Sequence, residues 1–268
     1  MKSHGKPFGF AAILTTSAFL LAASCCLLSA PTEAATLKVG NELSYPPFEM
    51  QQNGEEVGFD IDLVREAAKR AGYSVEFRSM TLDGIIPALQ AGQIDIGLAG
   101  LTINPARQKV VDFSIPYYES GIVIAAAPST TGISNLNDLT GKRVAVKVGN
   151  VGAKLVQEAP NAAKIHILTF DSNENCYLAV ENGNADATVN DEDTLSYYIA
   201  NQGKGKLKIV SPLLTKDYYG IAFRRGADKE REAIDRAILD MAKDGTYAKL
   251  HEKWFGTRPD VVPGQFKK

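Results

Sequence analysis

The chain has 268 residues, 45% hydrophobic and 22% charged, with a formal net charge of −2. That is enough to bury a core in one large domain or two modest ones, and the slightly acidic balance argues against a nucleic-acid partner. The three histidines, His4, His166 and His251, have no Cys or acidic neighbours at ligand spacing, which argues against a metal site, and no cofactor is expected.

In chain order, the first element is a leader. Lys2 and Lys6 precede an apolar run from Phe8 to Leu28, and small residues follow through Ala35, the layout of a secretory signal peptide. Residues 1–34 are expected to be removed after Thr32-Glu33-Ala34. Two alternatives stand beside this reading. The run is long enough for an uncleaved membrane anchor, and Ala22-Ala23-Ser24-Cys25 resembles a site of lipid attachment at Cys25. Cleavage leaves Cys176 alone, so no internal disulfide is expected, and it leaves a net charge of −3 on the exported part.

Short apolar runs then alternate with helical patterns, which favours an α/β fold with largely parallel sheets. Leu37 to Gly40 reads as a strand. Gly58 to Gly72 reads as a helix capped by Asp60, with Leu63, Val64, Ala67 and Ala71 on one face. A strand at Val75 to Phe77, a helix at Asp83 to Gln90 and a strand at Ile94 to Ala99 follow, and Asn104-Pro105 opens a short helix. The second half offers strands at Arg143 to Val146, Ile165 to Phe170 and Asp186 to Val189, with helices from about Gly152 and near Tyr177 to Glu181. Tyr219 to Phe223 is strand-like, and Asp228 to Lys243 and Gly245 to Phe255 look helical.

One pattern occurs twice. Ala88-Leu89-Gln90-Ala91-Gly92-Gln93-Ile94-Asp95-Ile96 matches Ala179-Val180-Glu181-Asn182-Gly183-Asn184-Ala185-Asp186-Ala187 in the placing of Gly and Asp. Ordinary helix-to-strand turn chemistry would also produce it, but it suggests two related lobes. A chain that crosses to a second lobe and returns has two adjacent crossover segments, which can act as a hinge.

The ordered set Tyr45-Pro46-Pro47-Phe48-Glu49, Val57-Gly58-Phe59-Asp60-Ile61-Asp62-Leu63, Gly84-Ile85-Ile86-Pro87-Ala88-Leu89, Thr102-Ile103-Asn104-Pro105-Ala106-Arg107 and Asp112-Phe113-Ser114 through Tyr118 closely resembles the polar amino-acid family (family 3) of periplasmic solute-binding proteins. The resemblance runs from about residue 37 to 258 and includes glutamine-binding and basic amino-acid-binding members. It implies a type II two-lobed periplasmic binding protein fold, with two mixed sheets flanked by helices and joined by a two-segment hinge. Lobe 1 would comprise residues 37–117 and 220–258, lobe 2 residues 122–215, and the hinge residues 118–121 and 216–219. It also implies a monomer outside the cytoplasm that captures a free polar amino acid and passes it to the membrane permease of an ABC importer with its cytoplasmic ATPase.

A free amino acid is a zwitterion, so its binder needs a cation and an anion at fixed separation. The planar fork of Arg107 can hold a carboxylate bidentately, and Arg107 matches the carboxylate-binding Arg of the family; its bland reading is a solvated helix residue. Asp191 matches the acid for the α-ammonium, and as an alternative or in addition it would cap the following helix. Gly100 and Thr102 follow a strand at the sheet's carboxyl edge, where open α/β sheets bind ligands. Asn150, Val151 and Gly152 open a helix whose free N–H groups can meet the carboxylate; Asn150 stands where relatives often carry Thr.

For the ligand side chain the resemblance gives Tyr45, Leu82, Glu42, Lys147 and Asn190. Leu82 replaces an aromatic of some relatives. Glu42 and Lys147 could bond a carboxamide between them, Glu42 accepting and Lys147 donating, or pair with one another across the cleft. The expected preference is glutamine first, then basic amino acids, with acidic ones last. Two other classes stand beside this reading: a sensor domain, and a cleft enzyme resembling cyclohexadienyl or arogenate dehydratases with Glu42 or Asp191 as its acid. No Ser-His-Asp or Cys-His arrangement supports catalysis, and binding is the expected function.

Overall fold

The computed structural model describes residues 34–266. The expected leader and the acylation site at Cys25 lie outside these residues. Among the described residues no helix is long and apolar enough to cross a membrane, and no group of three or more His, Cys, Asp or Glu is placed to hold a metal ion.

The chain begins with β1 (Thr36–Asn41), the short hairpin strands β2 (Ser44–Tyr45), β3 (Glu49–Gln52) and β4 (Glu55–Val57), and α1 (Phe59–Arg70). Next come β5 (Ser74–Ser79), α2 (Leu82–Gln90), β6 (Ile96–Gly97), α3 (Pro105–Gln108) and β7 (Asp112–Phe113). After β8 (Tyr118–Ser120) the chain forms β9 (Ile122–Ala126), β10 (Arg143–Lys147), α4 (Val151–Gln157), β11 (His166–Phe170) and α5 (Asn173–Glu181). It continues through β12 (Ala187–Asp191), α6 (Glu192–Asn201) and β13 (Lys208–Ile209). It then returns through β14 (Asp217–Tyr219) to β15 (Ala222–Phe223), α7 (Asp228–Asp244) and α8 (Thr246–Phe255).

Two five-stranded mixed sheets result, ordered β5-β1-β6-β15-β7 and β11-β10-β12-β9-β13, and each is the floor of one lobe. In each, three parallel strands are followed by an antiparallel one. The first sheet sets Val39 beside Phe77 and Ile96, the second sets Ala145 beside Leu168 and Thr188. The repeated Gly and Asp positions coincide in this frame. Gly92 and Gly183 both turn left-handed, with φ of 68° and 71°. Asp95 then accepts the Lys38 N–H at 2.9 Å and returns its own N–H to the Lys38 carbonyl at 2.8 Å. Asp186 makes the same pair of bonds with Arg143, both at 2.8 Å. The sequence repeat is thus a repeat of structure, locking a new strand to its neighbour in each lobe.

The chain passes between the sheets twice, through β8 and β14, which pair antiparallel with Tyr118 opposite Tyr219. Rings close the core beneath this crossing. Phe48 meets Phe59, Tyr118, Tyr219 and Phe255 edge-on at centroid distances of 5.0 to 6.2 Å, and Phe48, Phe59 and Tyr219 are fully buried. This cluster ties the β2–β3 hairpin, α1, α8 and both crossing strands together by apolar burial and favourable ring geometry. The second sheet is covered on both faces, by Val144, Val146 and Val156 on one and by Ala145, Cys176 and Leu195 on the other. Cys176 is a free thiol that burial pushes up to about 12.

Three local expectations are corrected. Asp60 does not cap α1: the helix starts at Phe59 with Gly58 as its N-cap, and Asp60 lies buried in the first turn. A Cβ at Gly58 would run into the Phe48 carbonyl, so only glycine lets the chain enter the helix this close to the hairpin. The strand expected over Ile94 to Ala99 pairs only at Ile96–Gly97, because Ala99 and Gly100 turn away with φ of 134° and 50°. The run from Tyr219 to Phe223 is divided, Tyr219 ending β14 and Ala222–Phe223 forming β15 between β6 and β7.

Candidate functional site

The carboxyl ends of the central strands of both sheets face one another. Glu42 follows β1, the segment from Ala99 to Thr102 follows β6, Lys147 ends β10 and Asp191 ends β12. Between them lies a narrow cavity. Tyr45, Leu82, Ala99, Gly100, Thr102 and Arg107 line it from one side, and Lys147, Asn150, Val151 and Asp191 from the other. Nine of the twelve residues expected at the site thus line one cavity. Glu42, Gly152 and Asn190 stand behind its wall.

Arg107 is carried on the short helix α3, where Asn104 caps the first turn by accepting the Arg107 N–H at 2.9 Å and Pro105 needs no hydrogen bond. Its guanidinium donates to the carbonyl of Thr102 at 3.1 Å and, across the cleft, to that of Gly149 at 3.2 Å. Burial lowers its proton affinity while the nearby Asp191 opposes that change. Among the described residues no carboxylate lies within ion-pair distance of Arg107.

Asp191 sits at the N-cap position of α6 but makes no cap hydrogen bond with its side chain. The residue is 4% exposed, and its carboxylate accepts from the hydroxyl of Tyr219 at 2.8 Å. Burial raises its proton affinity, and hydrogen bonds from Tyr219 and Tyr45 only partly offset this. Such a group gains from an added cation, because burying a carboxylate without one is costly.

Asn150 does cap its helix, accepting the Ala153 N–H at 2.7 Å, and its amide donates to Asn190 at 3.0 Å. Asn190 in turn accepts the Asp191 N–H and donates to Tyr177. It holds the two wall residues Asn150 and Asp191 in place rather than facing the cavity. Gly152 is equally indirect: α4 lies so close to β12 that a Cβ there would run into the Val189 carbonyl.

At the far end, Lys147 and Glu42 form a buried ion pair, the ammonium being 1% and the carboxylate side chain 6% exposed. The second carboxylate oxygen of Glu42 accepts from Ser44 at 3.0 Å. Lys147 also lies 5.6 Å from the centroid of the Tyr45 ring. The group presented to the cavity is therefore the ammonium, with the carboxylate as its counter-ion behind it.

Two components of the site carry no obvious sequence signal. The Tyr219 hydroxyl, 2.9 Å from that of Tyr45 and bonded to Asp191, aligns the acid. Ala99 is the second, its φ of 134° uncommon for a residue with a side chain. Gly100 after it is pressed on the Tyr45 ring and holds its N–H to Asp60 at 3.2 Å.

A model of bacterial extracellular solute-binding proteins, family 3, matches residues 37–257. Among known proteins, the putative ABC transporter arginine-binding protein 2 of Escherichia coli (strain K12) is 31% identical over 230 residues, covering 84% of this chain and 92% of that protein. The L-cystine-binding protein TcyJ of the same organism is 31% identical over 232 residues, 86% of each chain. Among solved structures, an ancestral arginine-binding protein bound to arginine matches with a TM-score of 0.80 and 41% identity, over 84% of this chain and 100% of that one. An ancestral arginine-binding protein bound to glutamine matches with a TM-score of 0.78 and 42% identity, over 83% of this chain and 98% of that one. The chain belongs to the bacterial extracellular solute-binding proteins of family 3, two-lobed amino-acid binders of ABC transporters that are not enzymes.

Proposed function

We propose that the protein is exported, captures a free amino acid with a polar, uncharged side chain, glutamine before any other, and delivers it to an ABC permease energised by a cytoplasmic ATPase. Arg107, Thr102 and the first turn of α4 take the α-carboxylate. Asp191, with Gly100 and Thr102, takes the α-ammonium. Residues 118–121 and 216–219 act as the hinge between a lobe of residues 37–117 and 220–258 and a lobe of residues 122–215.

The observation that carries the glutamine reading is the Lys147 ammonium at the cavity wall, already neutralised by Glu42. It favours an acceptor such as a carboxamide oxygen and repels a second cation. An acidic side chain would meet Lys147 but add a negative charge beside Glu42. A basic amino acid is the second reading, favoured by the names of the relatives and by the Glu42 carboxylate, which a guanidinium could reach once Lys147 swings away.

Paired calorimetric titration with glutamine and arginine of wild type and Lys147→Ala distinguishes the two. With glutamine as ligand, the variant loses about 1–3 kcal/mol of glutamine affinity, the cost of an unmet polar group. Arginine affinity held or improved in the variant, with arginine the tighter ligand of the wild type, reverses the order.

A further inference from the structure

We propose that Asp193 is a positioning residue for ligand capture: by holding the hydroxyls of Tyr118 and Ser120 it ties the first turn of α6 to the crossing strand β8, and so fixes Asp191 beside the first lobe. The effect on affinity rests on the amino-acid-binding reading above; the tie itself does not.

Tyr118 and Asp193 are rooted in different halves of the molecule. The Tyr118 ring lies in the core of the first sheet, where it meets Phe48 at 5.0 Å and stacks on Phe255 at 5.2 Å and on Tyr219 at 5.8 Å between centroids. Helix α6 packs on the second sheet, with its Leu195 buried beside Val123 and Ala145. From the first core the Tyr118 hydroxyl reaches Asp193 Oδ1 at 2.7 Å, and the Ser120 hydroxyl donates to Oδ2 at 2.6 Å. One strand thus engages both oxygens of the carboxylate. Asp193 does not line the amino-acid cavity; it borders a separate surface pocket with Glu119, Gly121 and Thr215.

An acid in the first turn of a helix has an ordinary explanation, the helix dipole. The dipole does not account for two hydroxyls of one strand taking both oxygens at distances typical of bonds to an ionised carboxylate. Burial pushes the Asp193 carboxyl up to about 6, opposed by the Ser120 and Tyr118 hydroxyls, which leaves it ionised at neutral pH.

Three successive residues at the start of α6 are bonded to the crossing. Asp191 accepts from Tyr219 of β14 at 2.8 Å, the Glu192 N–H donates to the Gly121 carbonyl at 2.9 Å, and Asp193 holds β8. Asp191 also lies opposite Ile122, the first residue of β9 after the crossing. Lys147 stands on β10, beyond β12 in the order of the sheet. A rotation about the crossing displaces each residue in proportion to its distance from it, so Asp191 moves less than Lys147. The acid for the ligand ammonium therefore keeps its place near Gly100 and Thr102 as the lobes part, and Asp193 holds it there from behind.

The test compares wild type, Tyr118→Phe, Asp193→Ala, Asp193→Asn and the double variant Tyr118→Phe/Asp193→Ala, by amide hydrogen exchange without ligand and by calorimetric titration with glutamine and arginine. Tyr118→Phe keeps the ring in the core and removes only the hydroxyl, so the fold is retained. It should speed exchange at the Glu192 N–H about tenfold, with Val189 in the middle of β12 unchanged, and weaken both amino acids by the same factor of about ten, the loss of a bond to a charged group. Asp193→Ala should do at least as much, and the double variant no more than Asp193→Ala, because the two changes remove one bond. Asp193→Asn, which keeps an acceptor, should bind within about threefold of wild type.

Unchanged exchange at Glu192 in Tyr118→Phe, or losses that add in the double variant, overturns the tie. Faster exchange with unchanged affinity, or unequal losses for glutamine and arginine, overturns the positioning of Asp191. A wild type that binds neither amino acid while exchange responds as expected overturns the amino-acid reading and supports the tie.

Discussion

At the scale of single residues, the site separates charges that face the cavity from groups that aim them. Arg107 and Asp191 are the facing charges. Removing either leaves one pole of a zwitterion desolvated and unpaired, so Arg107→Ala and Asp191→Ala should each cost about 3–5 kcal/mol of binding free energy, for every amino acid alike. Calorimetry on variants shown to be folded checks this; near wild-type affinity in either removes that residue from the site. The sequence offered both through their match to the family's motifs, since by pattern alone Arg107 also fits a solvated helix residue and Asp191 a helix cap. The aiming groups were not legible as such. Tyr219 acts through a hydroxyl at the end of a buried ring, and Asn190, which the resemblance put at the ligand side chain, through three hydrogen bonds along the wall; neither arrangement leaves a trace in spacing or periodicity. Glu42 and Lys147 were legible as a pair with two alternatives, and only their coordinates put the carboxylate behind the ammonium.

At the scale of elements, the close α4–β12 contact supports the site. Gly152 lies against the Val189 carbonyl, two residues before Asp191, while Asn150 caps the helix and bonds Asn190. Gly152→Ala must push α4 off the strand, at about 1–3 kcal/mol of stability for overpacking, and it moves Val151 and Asp191 apart. Denaturant unfolding should show a lowered midpoint, and titration a weakened affinity; unchanged values in both contradict the contact. The alternation of strands and helices and the repeated Gly and Asp positions could be read from the sequence because they follow from local turn chemistry. Asp60 was misread as a cap for the same reason: an acid at a helix start fits both roles, and its burial against Gly100 and Tyr117 is set by tertiary packing. The strand at Ile94 to Ala99 was overextended because hydrophobicity marks burial and does not show where Ala99 and Gly100 leave the ladder.

At the scale of the whole molecule, the two sheets meet at β8 and β14, and polar contacts bridge the cleft. Among them are Arg107 to the Gly149 carbonyl and Lys147 to Glu42, while Tyr219 of the crossing strand holds Asp191. A zwitterion bridging Arg107 and Asp191 favours the closed form by its contacts with both sides. Small-angle scattering of the protein, alone and with saturating glutamine or arginine, tests this account most directly. A smaller radius of gyration with the bound amino acid, absent in Asp191→Ala, is the predicted result; an unchanged radius at a concentration where calorimetry shows binding would contradict capture by closure of the two lobes.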